Sequence, residues 1–172
     1  RKMPKLSHFN IEIDESILFF GRNDQTFELL QRLHKHHFVA VVGSSGSGKS
    51  SLIRAGLIPS LKAGFLVNDS DDWFVANMKP GQNPLYNLCE TILLNLNESI
   101  NTDNVKALED HVIEDGVDAL INKLLPKFKE TNTNFFLLVD QFEELFRYAM
   151  EHKDATKRDE AIDFVNIILQ LS

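Results

Sequence analysis

A glycine-rich loop near residue 45 carries the residue types that bind phosphate. It reads GSSGSGKS from Gly43 to Ser50 and matches the pattern GxxxxGK[ST] at every fixed position. Glycines let the backbone turn so that successive N–H groups converge on phosphate oxygens, and Lys49 adds a positive charge beside them. The hydroxyl of Ser50 is a ligand type that suits Mg²⁺, a hard cation that prefers oxygen. The loop therefore predicts a nucleotide ligand.

The segments on both sides of this loop fit the structural context that the motif needs. The apolar run Phe38–Val42 precedes it and reads as a strand, and residues 51–57 read as a helix whose positive end would face the phosphates. The predicted phosphate-binding residues of this Walker A segment are Gly43, Ser44, Ser45, Gly46, Ser47, Gly48, Lys49, Ser50 and Ser51.

A second apolar run, residues 135–139, ends in Asp140 and has the form of a Walker B strand. Parallel strands bring their carboxyl ends to one edge of a sheet, so Asp140 and the phosphate loop should share a crevice. Taken alone, Asp140 could equally be an N-cap of the next helix. Beside the phosphate loop it is predicted to hold Mg²⁺ together with Ser50, as a ligand or just behind the ligands.

Two adjacent carboxylates follow and could polarise a water for hydrolysis. Gln141, directly after Asp140, is a poor base, whereas Glu143 and Glu144 lie in the first predicted turn of a helix. The alternative is that both only complement the helix dipole, worth about 0.3–1 kcal/mol each. The apolar spacing predicts that Glu143 flanks the buried side of this helix and that Glu144 is nearer solvent. The buried stripe would be Phe142, Leu145, Phe146 and Ala149.

Strands alternate with helices along the rest of the chain. Residues 73–78 read as another strand, and Asn83–Pro84 begins a helix. This alternation predicts an α/β, three-layer P-loop fold, in which helices flank a parallel sheet. Its parts would be an N-terminal segment, residues 1–36, and the core, residues 37–172, with Walker A at 43–50 and Walker B at 135–140.

Composition narrows the function classes. The 172 residues carry a net charge of −7, which argues against a direct grip on nucleic acid. A single cysteine excludes an internal disulfide and suits the reducing cytoplasm. No apolar run approaches the roughly 20 residues of a membrane span. We therefore expect a cytoplasmic protein without membrane contact.

Four stretches together resemble the novel STAND NTPase domain, from a class of multidomain signal-transduction ATPases. They are Phe19–Arg22 (FFGR), Gly43–Gly56, Trp73–Pro84 and Val139–Phe146. The resemblance implies that Phe20, Gly21 and Arg22 lie beside the adenine and ribose, and that Asp140 binds Mg²⁺. It also implies that Glu143 or Glu144 activates water.

The resemblance further implies how such a protein works. Members rest with ADP, exchange it for ATP when a sensor domain detects its trigger, and then self-associate to activate an effector. Slow turnover, and sensor and effector domains outside these residues, are therefore expected.

The sequence departs from the family pattern at three places. Asn23 stands where an acidic residue usually follows Gly–Arg, and Lys79 stands where Arg usually precedes Pro–Gly. The sequence given ends at Ser172, before the strand that in similar ATPases carries the sensor arginine and separates the Walker A and Walker B strands. We therefore expect a fold incomplete at its C-terminal side, with Val41 and Leu138 not in adjacent strands.

The sequence thus predicts an ATPase that binds ATP or ADP with Mg²⁺, using Lys49 and one of the two glutamates in catalysis. One alternative is a scaffold in which the nucleotide is only structural. Another is a different P-loop enzyme, such as a small-molecule kinase, although no arginine-rich lid segment is visible.

Overall fold

Among the residues that the structure describes, two parallel strands form a sheet. The computed structural model describes residues 22–64, 72–151 and 155–172. Strand β1 (Trp73–Met78) pairs with β2 (Asn134–Val139), with Trp73 opposite Asn134 and Met78 opposite Val139. Both strands were predicted within one residue of these bounds. The chain is therefore α/β, mostly helical, with a small parallel sheet.

Helices make up most of the rest of the described chain. None of them is both long and apolar enough to cross a membrane, within the three ranges given above. In chain order they are α1 (Asn23–His36), α2 (Lys49–Ser51), a π-helical turn (Leu52–Leu57), α3 (Ile58–Lys62), α4 (Pro84–Asn95), α5 (Thr102–Asp115), α6 (Val117–Thr131), α7 (Glu143–Glu151) and α8 (Ala155–Gln170).

Two hydrophobic clusters lie on opposite faces of the sheet, because neighbouring residues of a strand point to opposite sides. The smaller cluster joins α1 to the helical segment after the phosphate loop and includes Phe136 of β2. The larger one joins α4, α5, α6 and α8 and includes Phe135 and Leu137. Residue 136 thus faces one layer of helices while residues 135 and 137 face the other.

The prediction of a strand at Phe38–Val42 was wrong for the structure described: these residues have no regular secondary structure. A strand needs a neighbour for its backbone N–H and C=O groups, and β1 and β2 pair with each other instead. Val39 and Val41 still pack against the smaller cluster, whereas Val42 is 91% exposed. Because Val41 lies in no strand, the expectation that another strand separates Val41 from Leu138 is not tested by this structure.

Cys89 is a packing residue on α4, in the larger hydrophobic cluster. It is fully buried, and burial, with a smaller effect from Glu109, raises the pKa of its thiol to about 12. The thiolate is the reactive form of cysteine, so this thiol is inert near neutral pH.

The helical segment after the phosphate loop contains the π-helical turn where the sequence predicted a plain helix. Gly56 of this turn faces Thr26 of α1, and a methyl group on Gly56 would lie 2.5 Å from the Oγ1 atom of Thr26. The close approach of the two helices therefore requires glycine.

Replacing Gly56 by Ala should destabilise the protein by about 1–3 kcal/mol, since the added methyl overlaps a buried side chain on a packed helix. Urea unfolding followed by circular dichroism measures the change. In a Thr26→Ala background the same substitution should cost much less, because the overlapping oxygen is gone. An equal cost in both backgrounds would show that contact with Thr26 is not the cause.

Candidate functional site

The phosphate loop has the backbone conformation that its glycines were predicted to supply. Gly46 and Gly48 adopt φ angles of 77° and 82°, in the left-handed region that favours glycine. The N–H of Ser47 donates to the carbonyl of Ser44 at 3.2 Å, which closes the turn. Helix α2 begins directly after it at Lys49.

Lys49 reaches back over the loop. Its Nζ donates to the carbonyl oxygens of Gly43 at 2.8 Å and Ser44 at 3.0 Å. These two hydrogen bonds hold the ammonium group beside the first two residues of the loop. A phosphate bound there would accept charge-assisted hydrogen bonds from the same group.

Asp140 lies beside Ser50, as predicted, although the residues before the phosphate loop do not form the strand on which that prediction rested. The N–H of Asp140 donates to the carbonyl of Met78 at 2.9 Å, so this residue continues the pairing of β2 with β1. The hydroxyl of Ser50 is 3.3 Å from Oδ1 of Asp140. The structure therefore brings the two predicted metal-holding side chains together across 90 residues of chain.

Two further groups hold the Asp140 carboxylate. Its Oδ1 also accepts the N–H of Gln141 at 3.0 Å, and its Oδ2 accepts Nη2 of Arg54 at 2.8 Å. Gln141 has a φ of 59°, an uncommon conformation for a residue other than glycine. The backbone thus bends sharply after Asp140 and turns into α7.

Glu143 and Glu144 are the first two residues of α7. Within residues 22–64, 72–151 and 155–172, neither carboxylate has a hydrogen bond or an ion pair. Their predicted exposures were reversed: Glu143 is exposed and Glu144 is half-buried. The larger cluster contains Leu145, with Phe142 and Ala149 packed against it, so the buried face of α7 is centred nearer Leu145 than predicted. Phe146, expected in the buried stripe, lies at the edge of this face and is 63% exposed.

Arg22 lies against the phosphate loop. A methyl group built on Gly48 would be 3.0 Å from Nη1 of Arg22. Phe20 and Gly21, predicted beside the base and ribose, lie outside the described residues. Arg22 and Lys49 both line a cavity of about 400 Å³ between α1 and the phosphate loop. Ligand pockets are typically about 300–1,000 Å³, so the cavity has the size for a small molecule.

The comparison with protein families agrees with this geometry. The family model described as Novel STAND NTPase 1 matches residues 4–172. The chain belongs to this family. Comparison with curated proteins gave no match, and neither did comparison with solved structures. Family membership supports a nucleotide-binding signalling role and an NTPase activity for this STAND domain.

The donor atoms of the STAND domain fit Mg²⁺. The hydroxyl of Ser50 and the carboxylate of Asp140 are both hard oxygen ligands and lie within 3.3 Å of each other. The described part of the chain contains no cluster of three or more His, Cys, Asp or Glu side chains suited to a metal. Mg²⁺ is commonly held by one or two carboxylates together with substrate phosphates, so this small donor set is of the right kind.

Sequence reasoning missed two parts of the STAND site. Arg54, which pairs with Asp140, could have been found from its spacing, because a residue four positions after Ser50 lies on the same helix face. The cavity wall on α1 was also missed. Its residues recur at helical spacing along one face: Arg22, Gln25, Leu29 and Arg32.

Proposed function

We propose that this STAND domain binds ATP and ADP with Mg²⁺ and hydrolyses ATP slowly, as the nucleotide switch of a signalling or defence protein. The observation that carries the proposal is the placement of the Ser50 hydroxyl 3.3 Å from the Asp140 carboxylate, next to a loop that carries Lys49. Phosphate-binding and metal-holding groups thus meet at one end of the sheet, as nucleotide hydrolysis requires.

Each group has a distinct role in this proposal. The loop N–H groups and Lys49 bind the phosphates, with Arg22 next to them at Gly48. Ser50 and Asp140 hold Mg²⁺, which neutralises charge on the phosphate oxygens when it is bound. Glu143 or Glu144 orients or deprotonates the attacking water. Most of the rate enhancement would come from positioning and charge stabilisation.

We further propose a complete fold, a cellular location and neighbouring domains for this protein. A complete three-layer P-loop fold is the architecture in which such a site is normally built. We infer a cytoplasmic location, self-association of the whole protein after ATP binding, and sensor and effector domains outside these residues. We do not propose direct binding to nucleic acid, because a net charge of −7 disfavours contact with its negatively charged phosphate backbone.

Release of inorganic phosphate from ATP tests the reaction. We expect Mg²⁺-dependent release below about 1 s⁻¹, at the low end of enzyme turnover, and none in EDTA. Release that is equal in EDTA would contradict the metal role of Ser50 and Asp140. Tight ATP binding without release would favour the alternative of a scaffold with a structural nucleotide.

A further inference from the structure

Three groups of this chain contact the Asp140 carboxylate. Its Oδ2 accepts a hydrogen bond from Nη2 of Arg54 at 2.8 Å. Its Oδ1 accepts one from the backbone N–H of Gln141 at 3.0 Å and lies 3.3 Å from the Ser50 hydroxyl. The guanidinium is the group among these three that carries a positive charge, so Arg54 neutralises the carboxylate.

The fold delivers Arg54 to this position through the same segment that delivers Ser50. Ser50 lies in α2, and Arg54 follows four residues later in the π-helical turn. Leu52 and Leu57 at the two ends of this turn are buried and fix it against the smaller hydrophobic cluster. Arg54 and Ser50 therefore approach one carboxylate from a single rigid helical segment.

The exposures of the two partners allow the ion pair to open. The Arg54 side chain is 51% exposed, whereas that of Asp140 is 20% exposed. If the ion pair opens, the guanidinium of Arg54 is hydrated by water and does not become a buried, unpaired charge. The carboxylate, by contrast, is more shielded from water.

We propose that Arg54 competes with the divalent cation for Asp140 and sets the cation concentration that tight nucleotide binding requires. This inference rests on the proposed function. A cation next to Ser50 and Oδ1 of Asp140 would be repelled by the guanidinium that contacts Oδ2, so the presence of Arg54 weakens the interaction of Asp140 with the cation. Arg54 is then a positioning residue that stabilises the cation-free form.

Calorimetric titration of ADP at a series of Mg²⁺ concentrations, starting in EDTA, tests this inference. The Mg²⁺ midpoint is the Mg²⁺ concentration that gives half of the Mg²⁺-dependent gain in ADP affinity. For Arg54→Gln we expect this midpoint to be about five- to twentyfold lower than in the unmodified chain, because one unfavourable charge is removed. Arg54→Lys, which keeps the charge, should stay within about threefold of the unmodified chain. Thermal melting monitors the fold of each variant.

A matched control is available in another ion pair. Lys123→Gln removes an ammonium group whose Nζ lies 2.7 Å from Oε2 of Glu98. This pair is far along the chain from the phosphate loop, so its loss should leave the Mg²⁺ midpoint unchanged. An unchanged or higher midpoint in Arg54→Gln would overturn the inference. Weaker ADP binding in EDTA for Arg54→Gln would also overturn it, because Arg54 would then be a phosphate ligand.

The titration also separates this inference from the proposed function. Loss of ADP binding in Lys49→Ala, together with an unchanged midpoint in Arg54→Gln, would remove only the competition by Arg54. Absence of ADP binding by the unmodified chain at saturating Mg²⁺ would overturn both.

Discussion

Replacing both Glu143 and Glu144 by Gln is expected to lower ATP turnover by about 10²–10⁴-fold while ATP still binds, since a positioned general base contributes about that factor. The two carboxylates begin α7 beside the bend that follows Asp140, and neither has a partner in the part of the chain that the structure describes. Phosphate release measures the turnover, and calorimetry with ATP measures the binding.

The single variants then divide the role between the two residues. A fall in turnover in Glu143→Gln alone would show that the exposed carboxylate activates the attacking water. A fall in Glu144→Gln alone would give this role to the half-buried carboxylate. Glu90→Gln, an exposed carboxylate on α4, is the matched control and should change nothing. Unchanged turnover in the double variant would remove both residues from catalysis and leave only their favourable effect on the helix dipole.

Replacing Asp140 by Asn should lower Mg²⁺-dependent ATP turnover by about 100-fold or more, because a metal ion contributes several kcal/mol to stabilising phosphoryl transfer. The same change should alter folding stability little. The ion pair of Asp140 with Arg54 is partly exposed, and such pairs contribute about 0–1 kcal/mol. Phosphate release and urea unfolding of the same sample compare the two effects.

Asp163→Asn is the control for this substitution. Asp163 is an exposed carboxylate on α8, and its loss removes the same charge away from the loop. Equal turnover of Asp140→Asn and the unmodified chain would contradict the metal role of Asp140. A loss of several kcal/mol of stability in Asp140→Asn would show that Asp140 acts mainly in folding.

The parts of the fold that follow local rules were predictable from the sequence. Strand β2 is mostly apolar and ends directly before Asp140, and β1 ends before Pro80, so both signals lie within the segments themselves. The closeness of Ser50 and Asp140 was predicted from the pairing of the two motifs, and it is observed although the strand expected before the loop is not formed. Glycine at positions 46 and 48 likewise indicated the bend of the loop.

The features that depend on contacts between separate segments of the chain were not predictable from the sequence. Residues 38–42 have the composition of a strand, but pairing is decided by which other strand lies beside them. The π-helical turn and its contact with Thr26 depend on how two helices meet. The exposures of Glu143 and Glu144 depend on which side of α7 packs against the larger cluster, and the apolar spacing alone did not determine that side.

Calorimetric titration of ADP with Mg²⁺ into this chain and into Lys49→Ala tests the central claim most directly. Lys49 already lies over the loop through its bonds to Gly43 and Ser44, so its ammonium is in place for a phosphate. We predict saturable binding by the unmodified chain and a loss of about 100-fold or more in affinity for Lys49→Ala, since charge-assisted bonds to phosphate are lost. Equal affinity of the two proteins for ADP would contradict the claim that this loop is the nucleotide site.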